Sequence, residues 1–203
     1  KMKKIGIYSS IYSGNVNDRN IDYIAVDNGV VHLIHQNIRP LFVIGDLDSL
    51  ENYQLLNDYE IKIHPAIKDD TDTALAVKEA IQLGYDEIDI YGVTNKRLDH
   101  FMAVLCLLRK YPDIKITIYD EYNKIYLLRK GHHIIKKNSY KYFSLFSYIP
   151  TAVTLKNCHY PLDQYILEPN DPLCVSNQMN DDFANITVNE NILLIQSRGC
   201  NEK

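Results

Sequence analysis

Tryptophan is absent from this 203-residue chain, and methionine occurs only three times. The four cysteines, Cys106, Cys158, Cys174 and Cys200, include no Cys-x-x-Cys pair. That excludes the usual zinc and dithiol redox motifs and leaves reduced structural thiols as the reading. No apolar run approaches the roughly 18 residues needed to span a bilayer, so the expectation is a soluble, cytoplasmic protein with no membrane partner. Charge of one sign is also lacking. With 22 basic and 26 acidic residues the formal net charge is −4, which argues against the basic face that a nucleic-acid partner requires. No Gly-x-Gly-x-x-Gly occurs, so a dinucleotide fingerprint is not supported.

Hydrophobic residues make up 46% of the chain, enough to bury a sizeable core. Strand-like apolar runs (5–8, 23–26, 42–44, 61–64, 87–91, 114–119) alternate with helical patterns over 27–36, 71–83 and 98–110. In the last of these, Leu98, Phe101, Met102, Leu105 and Leu108 form one apolar stripe. Such alternation predicts a mainly parallel sheet. After about Asn123 the pattern changes to short strands at about ten-residue spacing (125–128, 133–136, 142–148, 152–155, 165–167, 173–176, 185–188, 192–196). The fold class expected is therefore an N-terminal mainly parallel α/β sheet domain, residues 1–125, followed by a C-terminal antiparallel β-sandwich or barrel, residues 126–203.

Three acidic segments stand where strands end or helices begin: Phe42–Leu50 (FVIGDLDSL), Lys68–Ala76 (KDDTDTALA) and Gly92–His100 (GVTNKRLDH). Ligands of open α/β sheets bind outside the carboxyl ends of strands. Asp46, Asp48, Asp72 and Asp99 could converge there, and clustered acids repel unless a cation lies between them. A hard divalent ion holding a polyphosphate is the usual solution. Ser49 adds a hydroxyl. Thr71 is an N-cap candidate with Asp72 in the first turn. Lys68 and Arg97 offer positive charge to phosphate oxygens, Arg97 in a forked geometry. His100 stands beside them. Alone, each segment also fits a bland role as a turn or a helix cap.

Together, and in this order, they resemble the thiamine pyrophosphokinase family. VDNGVVHLI resembles its Asp-Gly-Gly-Ala segment, GDLDS its Gly-Asp-x-Asp-Ser motif, and KDDTDTALA and RLDH its next two motifs. YFSLFSYI, CHYPLD and CVSNQ resemble its C-terminal strands and turn. The resemblance implies transfer of the pyrophosphoryl group of ATP to the hydroxyl of thiamine, leaving AMP. It also implies Mg2+ and a homodimer with sites between the α/β domain of one subunit and the β domain of the other. By position, Asp46, Asp48, Asp72 and Asp99 would hold Mg2+ and the triphosphate, with Asp99 or Asp72 as proton acceptor. Asp27, Asn28, Gly29, Ser49, Thr71 and His100 would lie on the nucleotide side, with Lys68 and Arg97 bearing phosphate charge. Tyr160, Ser176 and Asn177 would meet thiamine.

The chain departs from the family pattern at Asn28 (usually Gly), Asn95-Lys96 (usually Gly-Gly), Gln178 (usually Glu) and Tyr8–Gly14 (usually glycine-rich). Two other enzymes share some of these features. A pterin pyrophosphokinase would not need the thiamine-side segments. A phosphatase with Asp46 as nucleophile would need a later lysine and a second acidic loop. A non-catalytic nucleotide-binding regulator would not need the acids intact beside Lys68 and Arg97.

Overall fold

Six parallel strands build the first unit of the computed structural model, which describes residues 2–45, 61–62, 70–94 and 96–199. They are β1 (Lys4–Tyr8), β2 (Asp22–Val26), β3 (Phe42–Ile44), β4 (Ile61–Lys62), β5 (Glu87–Tyr91) and β6 (Lys115–Tyr119), in the order β6-β5-β1-β2-β3-β4. β1, β2, β3 and β5 are buried almost throughout, as expected of parallel strands covered on both faces. Helices α1 (Gly29–His35) and α2 (Asp72–Gln82) pack on β1 and β2, and α3 (Leu98–Lys110) packs against α2. The chain leaves β1 toward β2 on one side and returns to β5 on the other. The gap between the ends of β1 and β5 is thus the switch point at which such sheets bind ligands.

Local signals explain the helix ends. The Thr71 hydroxyl accepts the Ala74 N–H at 3.2 Å and caps α2. Gly84, at φ +81°, closes the same helix with its N–H on the Ile81 carbonyl. Helix α1 starts at Gly29, not at Asp27 as the apolar pattern suggests, because Asp27 has φ +48° and cannot join a right-handed helix. In α3 the buried face is Val104, Leu107 and Leu108, whereas Leu98 and Met102 of the expected stripe are exposed. An apolar-rich helix offers more than one stripe at helical spacing, and contact with its neighbours selects the one that is buried.

The division between units falls at Glu121/Tyr122, ahead of the expected change at 126, so all of β7 belongs to the second unit. That unit is antiparallel throughout. One sheet runs β12-β9-β14-β7, from β7 (Asn123–Leu128), β9 (Tyr142–Phe146), β12 (Asn177–Gln178) and β14 (Ile192–Ser197). The other runs β11-β10-β13-β8, from β8 (Gly131–Lys136), β10 (Thr151–Lys156), β11 (Leu162–Leu167) and β13 (Phe183–Val188). Phe143, Leu145 and Leu194 of the first sheet and Val153, Leu155 and Ile186 of the second share one core, which makes a sandwich. Residues 173–176, expected as a strand, form a turn instead. Asp171 accepts the Leu173 N–H, Val175 N–H bonds to the Pro172 carbonyl, and Ser176 has φ +59°, outside the extended region of a regular strand. Among the described residues no helix is long and apolar enough to cross a membrane.

Candidate active site

The loops leaving β1, β2 and β5 meet above the switch point. Pairing continues past the strands, with Ser9 N–H on the Tyr91 carbonyl at 2.8 Å and Ile11 N–H on the Gly92 carbonyl at 3.2 Å. Gly92 has φ +76°, and a Cβ there would lie 2.4 Å from the Ser9 carbonyl oxygen. Only glycine allows the two loops to approach so closely. The Ser13 hydroxyl accepts the Gly92 N–H at 2.6 Å, and the Tyr91 hydroxyl accepts the Asn17 N–H at 3.1 Å, which ties the β1 loop to β5.

Asp27 follows β2 and donates its N–H to the Ile44 carbonyl at 2.9 Å. Its carboxylate lies against Gly45, where a Cβ would come 2.0 Å from Oδ1, and accepts the Ser10 hydroxyl at 3.3 Å. Gly45 (φ +142°) thus makes room for an acid beside the start of the GDLDS segment. The Ser9 and Thr73 hydroxyls bond at 3.2 Å, which ties the β1 loop to α2.

These loops enclose a cavity of ≈ 320 Å³. Its wall brings together six residues expected for nucleotide and metal: Asp27, Asn28, Thr71, Asp72, Arg97 and His100. Gly29 is not in the wall; a Cβ there would meet the Tyr8 carbonyl oxygen at 1.9 Å, so it seats α1 on β1. Asp99 is not in the wall. It is exposed and holds Arg97 in a fork, Nε to Oδ1 at 3.2 Å and Nη2 to Oδ2 at 2.5 Å. Asp46, Asp48, Ser49 and Lys68 lie outside the described residues, and among the described residues no cluster of three or more His, Cys, Asp or Glu could hold a metal. Ser9, Ser10 and Lys96 also line the cavity, although the motifs do not single them out. Their signal is the departure from a glycine-rich pattern at those places.

The Arg97 fork, chiefly through its hydrogen bond, holds the Asp99 carboxyl down at about 2. A depressed carboxyl keeps its pair above the ordinary carboxylate range and loses it as pH falls through about 2. In a carboxyl NMR titration Asp99 is expected to have its midpoint near 2, and Arg97→Ala to return it to about 4. An unmoved midpoint in Arg97→Ala would show that the fork is not the cause.

The second unit holds a cavity of its own, ≈ 360 Å³ and mostly apolar, walled by Leu155, Leu162, Leu173 and Val175 together with Tyr160, Ser176 and Asn177. All three residues expected for thiamine therefore lie in one wall. Asn177 is buried and committed. Its Oδ1 accepts the N–H of Tyr160 at 3.1 Å and of Gln178 at 2.9 Å, and its Nδ2 donates to the Tyr160 carbonyl at 2.8 Å. It shapes the turn that presents Tyr160, whose side chain is 65% exposed. Cys174 lines the same cavity, its thiol pushed up to about 11, mainly by burial, so it stays protonated.

Residues 15–119 match the model of the thiamin pyrophosphokinase catalytic domain, and residues 132–193 match that of the thiamin pyrophosphokinase vitamin B1 binding domain. The chain belongs to the thiamin pyrophosphokinase family. A thiamine pyrophosphokinase of Bacillus subtilis (strain 168) is 30% identical over an alignment of 189 residues that covers 88% of this chain and 87% of that protein. The crystal structure of thiamine pyrophosphokinase from Bacillus subtilis superposes with a TM-score of 0.87 at 26% identity, covering 97% of this chain and 100% of the other. That of thiamin pyrophosphokinase from Geobacillus thermodenitrificans gives 0.87 at 25% identity, covering 98% and 99%. The family's catalytic segment ends just before the division between units, and its vitamin B1 binding segment contains every wall residue of the second cavity. Ser9, Ser10 and Ile11 lie ahead of the matched catalytic segment.

Proposed function

We propose that this protein transfers the pyrophosphoryl group of ATP to the hydroxyl of thiamine, giving thiamine diphosphate and AMP, as a cytoplasmic, Mg2+-dependent homodimer. The observation that carries the reading is the sorting of the expected residues. Asp27, Asn28, Thr71, Arg97 and His100 of the nucleotide set line one cavity with Asp72, all six within the catalytic segment, and the thiamine set lines one apolar cavity of the vitamin B1 binding segment.

The hydroxyl oxygen of thiamine attacks the β-phosphorus, and the bond from that phosphorus to the bridging oxygen of AMP breaks. Its electron pair leaves on AMP, and the hydroxyl proton passes to a carboxylate. Such transfers rest on positioning and charge stabilisation. Asp72, in the cavity wall, takes the proton on a carboxylate oxygen that the metal does not hold, whereas Asp99 lies outside the wall and is engaged by Arg97. Asp72 together with Asp46 and Asp48 supplies the hard oxygen donors that suit Mg2+. When bound, the ion would neutralise phosphate oxygens and orient them. The exposed Tyr160 ring offers a face to the thiazolium cation.

AMP release from ATP is expected to require both thiamine and Mg2+, to stop on chelation, and to elute with the dimer in size exclusion. AMP release without thiamine would redirect the reading to another hydroxyl acceptor. Full activity in a monomer would contradict the shared site.

A further inference from the structure

The Arg97 fork on Asp99 takes up its Nε and Nη2 edge and offsets its charge, so a phosphate that leaves the pair intact has only the remaining N–H groups of an already neutralised guanidinium. Lys96, the neighbouring residue, lines the same cavity as Thr71 and Asp72, is exposed, and forms no ion pair with any carboxylate among the described residues. Its ammonium is a compact charge on a flexible stem that can follow phosphate oxygens without a fixed geometry. We propose that Lys96 is the cation of this loop that grips the nucleotide's polyphosphate, and that Arg97 serves mainly to hold Asp99. The inference rests on the nucleotide reading of the cavity and assigns a binding residue within it.

The division of labour follows from charge. Arg97 and Asp99 together contribute almost no net field, whereas Lys96 adds a full unit in a wall that also carries the carboxylates of Asp27 and Asp72. Without a cation there, those acids would repel a polyphosphate that arrives ahead of the metal. Because Lys96 is exposed, replacing it leaves packing intact.

Calorimetric titration with inorganic tripolyphosphate in the absence of metal, at several salt concentrations, tests this in the whole protein. Lys96→Met is expected to weaken binding at least about tenfold and to flatten its salt dependence. Lys96→Arg should keep most of the affinity, and Arg97→Met should lose less than Lys96→Met. Unchanged affinity in Lys96→Met, or the larger loss in Arg97→Met, would overturn the assignment. A wild-type protein that binds neither tripolyphosphate nor ATP would instead overturn the nucleotide reading of the cavity, and this inference with it.

Discussion

Asp72→Asn lowers turnover by about 10²–10³-fold while the protein stays folded. The carboxylate lies in the cavity wall, in the first turn of α2, facing the space shared with Asp27 and Arg97. Replacing it by the isosteric amide removes a charge from the metal and phosphate site and a proton acceptor from the wall. The Thr71 cap persists, and the helix-dipole part of the loss is only about 0.3–1 kcal/mol. Steady-state kinetics and a thermal melt on the same sample separate the two effects. Turnover within tenfold of wild type at saturating Mg2+ would remove Asp72 from the catalytic assignment.

Asn177→Ala acts on the other cavity and in a different way. Its amide bonds both the N–H and the carbonyl of Tyr160, and the side chain is buried. Truncation leaves two partly buried peptide groups without this partner, at up to about 1–3 kcal/mol for each that finds no substitute. A net loss near 2 kcal/mol would lower Tm by about 4–8 °C. The turn presenting Tyr160 loosens, so KM for thiamine rises about tenfold or more while kcat for bound substrate changes less. Asn177→Asp keeps the acceptor and loses the donor to the Tyr160 carbonyl, so an intermediate effect is expected. Unchanged KM for thiamine together with the lower Tm would make Asn177 purely structural.

The parallel sheet was legible because strands covered on both faces are largely apolar, as β1, β2 and β3 are, while β5 keeps Ile88, Ile90 and Tyr91 around a buried Asp89 that pairs with Lys4. The start of α1 was not, since the positive φ of Asp27 is set by its bond to the Ile44 carbonyl, a contact between distant segments. The phase of α3 was misjudged for the same kind of reason: tertiary contact buries Val104 and Leu107 where the sequence offers Leu98 and Met102 equally well. The turn over 173–176 reads as a strand because Leu, Cys and Val are strand formers, but Asp171 and Pro172 impose a turn. Asp27, Asn28, Thr71, Asp72, Arg97 and His100 of the first cavity and Tyr160, Ser176 and Asn177 of the second were legible through motif order, whereas Ser9, Ser10 and Lys96 were not. The roles of two were not. Asn177 shapes its cavity through backbone bonds, and Asp99 is turned to Arg97, and neither geometry leaves a trace in spacing.

The central claim is that two phosphoryl groups move to thiamine together. The decisive measurement is the mass of the thiamine product formed from ATP in a single turnover, with the nucleotide product identified in parallel. Thiamine diphosphate appearing with an equal amount of AMP, and no thiamine monophosphate at any time, is the predicted result. Thiamine monophosphate with ADP, or inorganic phosphate with thiamine unchanged, would contradict it.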